Sequence, residues 1–428
     1  MRRIGGPLRF ASFSNQAGVW LWRDWTKDNI PVKKSLSDLA VFGGTPSFTE
    51  IRSAASLSPP DAEAFFDYAK RSFDSRRLTN NGPLVQLLER RLAELHQARF
   101  CVAFCGGSWG LVLAMSCLAT RGGGEIVMPS LTYRHLADIA AWAGLTPRFC
   151  EVSRETLASS VADVEDCMNE RTAFILVAHP SVHLADIGGL TALATRRHVP
   201  LLFDSVEAAY ASYHGSTIGS FGNAECFSMH ASQLLNGFEA GYLTTNDETL
   251  ASRLRKMRGF GFFGQENVEE LGLNAKLNEI HAAMALVSLD DIHNRVRRNR
   301  ERYHAYQEVL GPVSGIRLVP YEEAEKRAFK TILVELTDAW PLRRSQTLEI
   351  MHAENMPALP YCSPPLHLRK TGYRTARGAL PVTEFISGRY VTLPNGDLLS
   401  HSDVEIVGQV LHFLQNHGAS IAPRLEGR

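Results

Sequence analysis

The sequence predicts an α/β protein in which a large domain with a mostly parallel sheet precedes a small α+β domain. Short apolar runs alternate with helical runs between about residues 58 and 310. The strand-like runs are apolar almost throughout, as in strands that helices cover on both faces of a sheet. The length of 428 residues exceeds that of one average domain and leaves room for a second, smaller one.

The large domain is predicted from strand-like and helical runs in alternation. The strand-like runs are, in chain order, FCVAF, EIVMPS, TPRFCEV, AFILVAH, PLLFDS, CFSMH and GYLTTN. Helical runs that lie between several of them are GLVLAMSCLA, HLADIAAWAG and LTALATRR. An earlier run, LVQLLERRLAELHQ, is amphipathic at helical spacing, and Ser58-Pro-Pro-Asp is a typical helix start.

The chain divides into three predicted parts. Residues 1–37 form an N-terminal extension that holds the tryptophan-rich segment GVWLWRDWTK. Residues 38–311 form the large domain, and its last part, 278–310, has the pattern of one long helix that bridges to the next domain. Residues 312–428 form the small domain, in which IRLVPY, FKTILVEL and YVTLP are strand-like.

Composition and charge argue against nucleic acid and membrane as partners. The 45 Lys and Arg residues balance the 45 Asp and Glu residues, so the chain has no net field that would attract a polyanion. No apolar run approaches the roughly 20 residues of a membrane span. The seven cysteines lie far apart without a CxxC pair, and the first residues lack a signal-peptide core, so a cytoplasmic protein with free thiols is predicted. No metal is expected, because His179 and His183 have no further ligands at zinc-like spacing.

Chemically useful side chains follow the predicted strands at their carboxyl ends, where open α/β sheets bind ligands. The small residues Gly106, Gly107 and Ser108 follow the first strand and open a helix, an arrangement suited to a phosphate. An aromatic residue, an acid and a serine follow later strands: Tyr133, Asp204 and Ser228. Together these groups predict a flat, phosphorylated, nitrogen-containing cofactor at one rim of the sheet.

These residues resemble the motifs of the DegT/StrS family of sugar aminotransferases, over about residues 39–415. The family consists of pyridoxal 5′-phosphate enzymes with the aspartate aminotransferase fold, also called fold type I. The resemblance therefore implies that fold and a pyridoxal-type cofactor. It also implies a small-molecule substrate, such as a nucleotide sugar or a cyclitol, in the biosynthesis of unusual sugars or secondary metabolites.

The resemblance also assigns roles to individual residues at the rim. The turn that ends in Ser108 matches the family's phosphate-binding NGT, without its asparagine, so the helix start is assigned to the phosphate. Ser228, in FSMH, matches a serine that also binds the phosphate. PSLTY supplies the aromatic residue, Tyr133. FDSVEA supplies Asp204, which matches the acid that pairs with the pyridine nitrogen, and Glu207, which matches the residue near the ring hydroxyl. The implied cofactor-binding residues are thus Gly107, Ser108, Trp109, Tyr133, Asp204, Glu207, Ser228 and Asn274.

Two further segments resemble parts of the family that complete the active site. GLNAKLNE is similar to the family's GxNxKMSE, whose asparagine reaches the cofactor phosphate of the neighbouring subunit. Asn274 matches that asparagine, which implies a homodimer with shared active sites. PYCSPPLH, residues 360–367, resembles the C-terminal segment that closes over the substrate.

One position departs from the family at the centre of its chemistry. The family reads FSFHATKxxNTFEGG where this chain reads FSMHASQLLNGFEAG, so Gln233 stands where the Schiff-base lysine is expected. An amide can hydrogen-bond, but it is neither a nucleophile for the cofactor aldehyde nor a base near pH 7. His230 and Glu207 are the predicted replacements for the acid–base role of the lysine, with Gln233 as a third active-site group.

Four explanations of Gln233 are open at the level of the sequence. The chain binds pyridoxamine 5′-phosphate or pyridoxal 5′-phosphate non-covalently for chemistry that needs no lysine, such as the dehydration catalysed by GDP-4-keto-6-deoxymannose 3-dehydratases of this family. Alternatively, the remodelled pocket works without any cofactor. The chain could instead be a non-catalytic partner of an active aminotransferase, or Gln233 could be an engineered substitution that traps an intermediate. Retention of Asp204 favours the first explanation, because a buried carboxylate with no cation to pair is costly.

Overall fold

The computed structural model of the chain describes residues 33–53, 61–119, 124–263, 267–376 and 378–427. Of the predicted N-terminal extension, only residues 33–37 belong to this set, so its role lies outside the described residues. The same holds for Ser58 in the predicted helix start.

Helices and strands alternate as predicted. The described α-helices are α1 to α12, in chain order Ala62–Ser75, Pro83–Leu95, Gly107–Leu118, Leu136–Trp142, Val161–Cys167, Ile187–Arg197, Glu248–Met257, Glu279–Asp290, Ile292–Leu310, Arg344–Ala353, Pro381–Arg389 and His401–Glu426. The described strands are β1 to β15, in chain order Phe100–Phe104, Glu125–Pro129, Thr146–Cys150, Thr172–Ala178, Leu201–Asp204, Ser212–Tyr213, Ser216–Thr217, Ala224–Ser228, Gly241–Thr245, Phe262–Phe263, Asn267–Val268, Ile316–Leu318, Ile332–Leu336, Leu359–Pro360 and Tyr390–Leu393.

The large domain is built on a mostly parallel sheet, which confirms the predicted fold class. Its seven strands have the order β1-β9-β8-β5-β4-β2-β3. The pairs from β8 to β3 are parallel, while β9 is antiparallel to both of its neighbours. All seven strands coincide with the apolar runs of the sequence, because strands buried on both faces need apolar residues at every position.

Helices cover both faces of this sheet and form a separate apolar core on each. One core joins α2, α6 and α8 to the sheet, and the other joins α3, α4 and α7 to it. The connections after β1, β2, β4, β5 and β8 therefore all emerge at the same rim, at the carboxyl ends of parallel strands or beside them.

The small domain packs four antiparallel strands, in the order β12-β13-β15-β14, against α10, α11 and α12. A segment before the first helix joins it, since Leu39, Val41 and Phe48 belong to its apolar core. The buried Glu354 carboxylate fixes this segment by accepting hydrogen bonds from the backbone N–H groups of Ala40 and Ser47, both at 2.8 Å. The predicted division at residue 38 stays a prediction, but this segment contacts the C-terminal part of the chain.

The prediction of one helix over 278–310 is wrong, because the chain forms two helices there. Asp291 ends α8 and begins α9, with φ −96° and ψ 3°. Helix α8 is buried along nearly its whole length, whereas α9 is amphipathic and packs against α12 in the C-terminal part. The start of α9 shares the core of α8 through Ile292 and Val296, and its later turns belong to the core of the small domain. The Asp291 carboxylate contributes at the break by accepting hydrogen bonds from Asn294 and Arg298.

Candidate active site

The first turn of α3 is the candidate phosphate-binding part of the rim. Gly106 precedes the helix in extended backbone, and no side chain caps the helix start. The first N–H groups of the helix therefore face outward with the positive end of the helix dipole. A side chain at Gly241 would lie 2.2 Å from the nitrogen of Gly107, so glycine there lets the strand approach the helix start closely. Ser108 and Trp109 are both exposed in this turn, and Trp109 packs edge-on against Trp142.

Strand register brings Ser228 to the same place. Ser228 pairs with Gly241 across β8 and β9, and Gly241 pairs with Phe104 across β9 and β1. The three residues form one row across the sheet, which ends at the turn before α3. The Ser228 hydroxyl is half-buried and accepts a hydrogen bond from the backbone N–H of His230 at 3.2 Å.

Asp204 is a buried carboxylate at the end of β5, two strands from β9. From the described residues its side chain accepts one hydrogen bond, a long one of 3.3 Å from the Val206 N–H. Among the described residues, no lysine, arginine or histidine forms an ion pair with it. Burial, the largest cause, raises the pKa of Asp204 to about 6. A buried acid with unused acceptor capacity fits a ligand that brings a cationic N–H group.

Tyr133 follows β2, which lies two strands from β5, the strand that ends in Asp204. Its ring is about half exposed (54%) and lies edge-on to His135. Burial is the largest cause that raises the pKa of the phenol, and the nearby Asp204 carboxylate raises it further. An exposed aromatic face near Asp204 is available for stacking on a flat ring.

Glu207 and Gln233 meet through a residue that the sequence analysis missed. Lys330 lies between the two domains, and its ammonium contacts the Gln233 side-chain oxygen. The same Nζ lies 3.0 Å from Oε1 of Glu207. The signal in the sequence was weak: a lysine within the apolar run AFKTILVEL, just before a strand of the small domain. Only the packing of the two domains brings it to the rim.

His230 is not brought into that group. Its ring hydrogen-bonds to the Ser232 hydroxyl at 2.8 Å and lies 3.5 Å from the Glu239 carboxylate. Its backbone carbonyl accepts from the Gln233 N–H at 2.8 Å, so the two residues are tied through the main chain instead.

His179 stands at the same rim, after β4, as a neutral buried ring. Burial is the main cause that lowers its pKa to about 3. The ring stacks on Phe203 at 5.2 Å and accepts the Ala185 N–H at Nδ1, which leaves the proton on Nε2. That Nε2 has no partner among the described residues. An unpaired buried donor beside Asp204 is a second sign that this rim is incomplete without a ligand.

Asn274 lies on a segment that pairs with the chain just before the start of α3. The Cys105 N–H donates to the carbonyl of the next residue, Ala275, at 2.9 Å. The Asn274 side chain itself is exposed.

Residues 360–367 cover part of the rim from the C-terminal side. The His367 ring and the Ser130 hydroxyl are 2.7 Å apart, and the Leu366 N–H donates to the Ser130 carbonyl at 3.1 Å. Tyr361 accepts the Ser181 N–H at 3.4 Å. The segment thus contacts the connections after β2 and β4.

The donor set at this rim fits a flat phosphorylated cation better than a metal. A helix start without a side-chain cap, a hydroxyl, an exposed aromatic and an unpaired buried acid lie along one edge. In the part of the chain that the structure describes, no three His, Cys, Asp or Glu side chains lie close enough together to hold a metal ion. No described helix is both long and apolar enough to cross a membrane.

A comparison with known proteins identifies the family of the chain. The model of the DegT/DnrJ/EryC1/StrS aminotransferase family matches residues 59–412. The chain belongs to this family.

Relatives within the family act on sugars and cyclitols. GDP-perosamine synthase of Escherichia coli O157:H7 is 26% identical over 345 residues, which cover 79% of this chain and 92% of that protein. L-glutamine:2-deoxy-scyllo-inosose aminotransferase of Micromonospora echinospora is 32% identical over 292 residues, or 64% and 69% of the two chains. The solved structure of DesI, in the presence of its TDP-sugar product, superposes with a TM-score of 0.87 at 31% identity, over 92% of this chain and all of that one. The aspartate aminotransferase fold is thereby confirmed, and the family is one of pyridoxal phosphate-dependent enzymes.

Proposed function

We propose that this chain binds pyridoxamine 5′-phosphate non-covalently and uses it on a sugar or cyclitol ketone in a reaction that needs no lysine at position 233. Loss of water from the substrate is the reaction of this kind that we favour. When bound, the cofactor supplies an amine and an electron-withdrawing ring. One observation carries the proposal: the pocket has a buried, unpaired Asp204, although Gln233 stands where the family resemblance puts the lysine.

Asp204 is the group whose surroundings in the fold leave most of its hydrogen-bonding capacity unused. A buried carboxylate with one long hydrogen bond is unfavourable in the free protein, because little replaces the water that it loses. A pyridine N–H placed against it would form a charge-assisted hydrogen bond and remove that cost. Such a pair would hold the ring in its cationic form.

The phosphate end is supported by two independent elements. The first turn of α3 offers backbone N–H groups, and Ser228 offers a hydroxyl from the opposite side. Trp109 and Ser108 border this turn, and Tyr133 offers its ring face nearer to Asp204.

Proton transfer would fall to the groups beside Gln233. Elimination of water needs a base for a carbon-bound proton and an acid for the leaving hydroxyl. Glu207 is half-buried at the rim and suits this work, while His230 would have to leave its contacts with Ser232 and Glu239. Gln233 would act as a hydrogen-bonding group.

The exposed Asn274 beside the helix start supports a homodimer with shared sites. Its side chain is exposed, and the family resemblance assigns it to the phosphate of the neighbouring subunit. Sedimentation equilibrium should give a dimer, and Asn274→Ala should weaken pyridoxamine phosphate binding without lowering the thermal stability of the free protein. A monomer with unchanged affinity for the cofactor would contradict the shared site.

An absorbance titration of purified protein with pyridoxamine 5′-phosphate tests the main proposal. We expect saturable binding, followed by loss of water when nucleotide-linked keto sugars or keto cyclitols are screened by mass spectrometry. Absence of binding would overturn the proposal. Turnover by protein stripped of every pyridoxal species would point to a cofactor-free enzyme. Co-purification with an active aminotransferase, with no turnover alone, would point to a non-catalytic partner.

A further inference from the structure

The amine of Lys330 lies beside Gln233, the residue that stands where the family resemblance predicts a lysine. We propose that Lys330, and not residue 233, is the amine that bonds covalently to the aldehyde of a pyridoxal phosphate in this pocket. The inference rests on the proposed cofactor site and deepens it: binding stays non-covalent for the pyridoxamine form, which has no aldehyde, while the aldehyde form is captured by Lys330.

The lengths of the side chains locate the amine. A glutamine ends at the atoms bonded to Cδ, whereas a lysine continues through Cε to Nζ. A lysine at position 233 would therefore carry its amine about one bond beyond the atom where Gln233 carries its oxygen. The Nζ of Lys330 contacts that oxygen. The volume that the missing amine would fill is thus occupied by an amine that enters from the other domain.

The second contact of Lys330 places the amine near the expected aldehyde. Its Nζ lies 3.0 Å from the Glu207 carboxylate. Glu207 holds the position that the family resemblance assigns to the ring hydroxyl, and in a pyridoxal ring the aldehyde carbon is bonded to the ring atom next to that hydroxyl. An amine that touches both Glu207 and Gln233 is therefore close to where the aldehyde would lie.

The main chain around Lys330 is fixed from both sides. The Asn395 amide donates to the Lys330 carbonyl at 2.7 Å, and the Thr331 N–H donates to the Tyr321 hydroxyl at 3.1 Å. Phe329, the preceding residue, is buried in the core of the small domain. Because these anchors hold the backbone, the side chain is presented to the rim while about a quarter of it (25%) remains exposed.

The bond can form with the groups that are present. An ammonium must first lose a proton, and the Glu207 carboxylate is positioned to accept it. The Lys330 nitrogen would then attack the aldehyde carbon, and the carbonyl oxygen would take one proton directly from the nitrogen and a second one back from Glu207. The oxygen would leave as water, while the nitrogen keeps its last proton and forms the carbon–nitrogen double bond. No oxidant or reductant is needed.

Reduction with borohydride followed by mass spectrometry tests the assignment. Protein incubated with pyridoxal 5′-phosphate and reduced should carry one pyridoxyl group, on the peptide that contains Lys330. Lys330→Arg keeps the positive charge beside Glu207 but has no comparable nucleophile, so the adduct should fall at least tenfold. Lys326→Met changes an exposed lysine of the same segment and should leave the adduct unchanged.

The result also separates this inference from the proposed function. If pyridoxamine phosphate saturates the protein but no adduct forms, or the adduct maps to another lysine, Lys330 is not the amine and the proposed function stands. If neither form of the cofactor binds, both are overturned. Pyridoxamine phosphate binding by Lys330→Arg would show that this variant is folded, and peptide mapping of the wild-type adduct does not depend on any variant.

Discussion

Two buried carboxylates on neighbouring strands of the sheet differ in what surrounds them. Glu225, on β8, is fully buried and accepts the Gly219 N–H at 2.7 Å, the Phe221 N–H at 2.9 Å and the Ser205 hydroxyl at 2.5 Å. Asp204, on β5, is 7% exposed and, within the described part of the chain, accepts only the long hydrogen bond from Val206. The two residues sit one step apart in the register of β5 and β8.

The comparison separates an acid whose hydrogen-bond donors are supplied by the fold from one that has unused acceptor capacity. Burial is the largest cause that raises both pKa values, to about 7 for Glu225 and about 6 for Asp204. A raised pKa therefore does not distinguish the two. The donors do: those of Glu225 come from the fold itself, whereas Asp204 has acceptor capacity left at a rim that is open to a ligand.

The largest expected effect is on cofactor binding at Asp204. Asp204→Asn removes the charge that would pair with a pyridine N–H, and breaking a buried pair costs about 3 kcal/mol or more. The affinity for pyridoxamine 5′-phosphate should therefore fall by about 100-fold or more in an absorbance titration. Glu225→Gln is the control, with an affinity within about threefold of wild type. Equal losses in both variants would erase the distinction between the two acids.

The next effect is on stability at Glu225. Glu225→Ala leaves buried donors without an acceptor, at about 1 kcal/mol or more each, so the free energy of unfolding should drop by about 2–3 kcal/mol in urea. Glu225→Gln keeps an acceptor oxygen and should lose less than half as much. Asp204→Ala should cost less than Glu225→Ala, since fewer donors depend on that carboxylate. The reverse order would make Asp204 the structural acid.

The pH dependence of stability sharpens the comparison further. Folding raises the pKa of Asp204 from 3.8 to about 6. The protonated side chain therefore contributes to the free energy of unfolding below pH 3.8, and this contribution is lost as the pH rises through 6. Without cofactor, the free energy of unfolding of Asp204→Asn should therefore rise by about 1–2 kcal/mol relative to that of wild type between pH 5 and pH 8. Glu225 titrates in both proteins, so its effect cancels in the difference. A difference that does not change with pH would contradict the raised pKa.

The smallest expected effect is at the phosphate end. Ser228→Ala removes one hydroxyl, worth about 1 kcal/mol, so the affinity for pyridoxamine phosphate should fall about fivefold in the same titration. Ser232→Ala removes the hydroxyl beside His230 and should leave the affinity unchanged. If Ser232→Ala had the larger effect, the row from Ser228 to the start of α3 would not be the phosphate site.

Some of the candidate site followed from sequence because strand ends carry it. Asp204, Ser228 and the turn before α3 each follow an apolar run, and parallel strands bring such ends to one rim. Gln233 in place of the lysine stays a prediction, which rests on the unshifted family motif around it. Local patterns were enough here, since each of these residues is placed by the strand that precedes it.

The sequence by itself determined the sheet, its covering helices and the family, because these depend on apolar runs and short motifs. Tertiary structure decided the rest. Asp291 divides the stretch predicted as one helix, and the second helix, α9, passes from the core of the large domain to that of the small one. Lys330 and Gln233 are 97 residues apart in the chain, and only the packing of the small domain on the large one brings them into contact. No local pattern encodes such a contact, because it depends on how two separately formed cores meet.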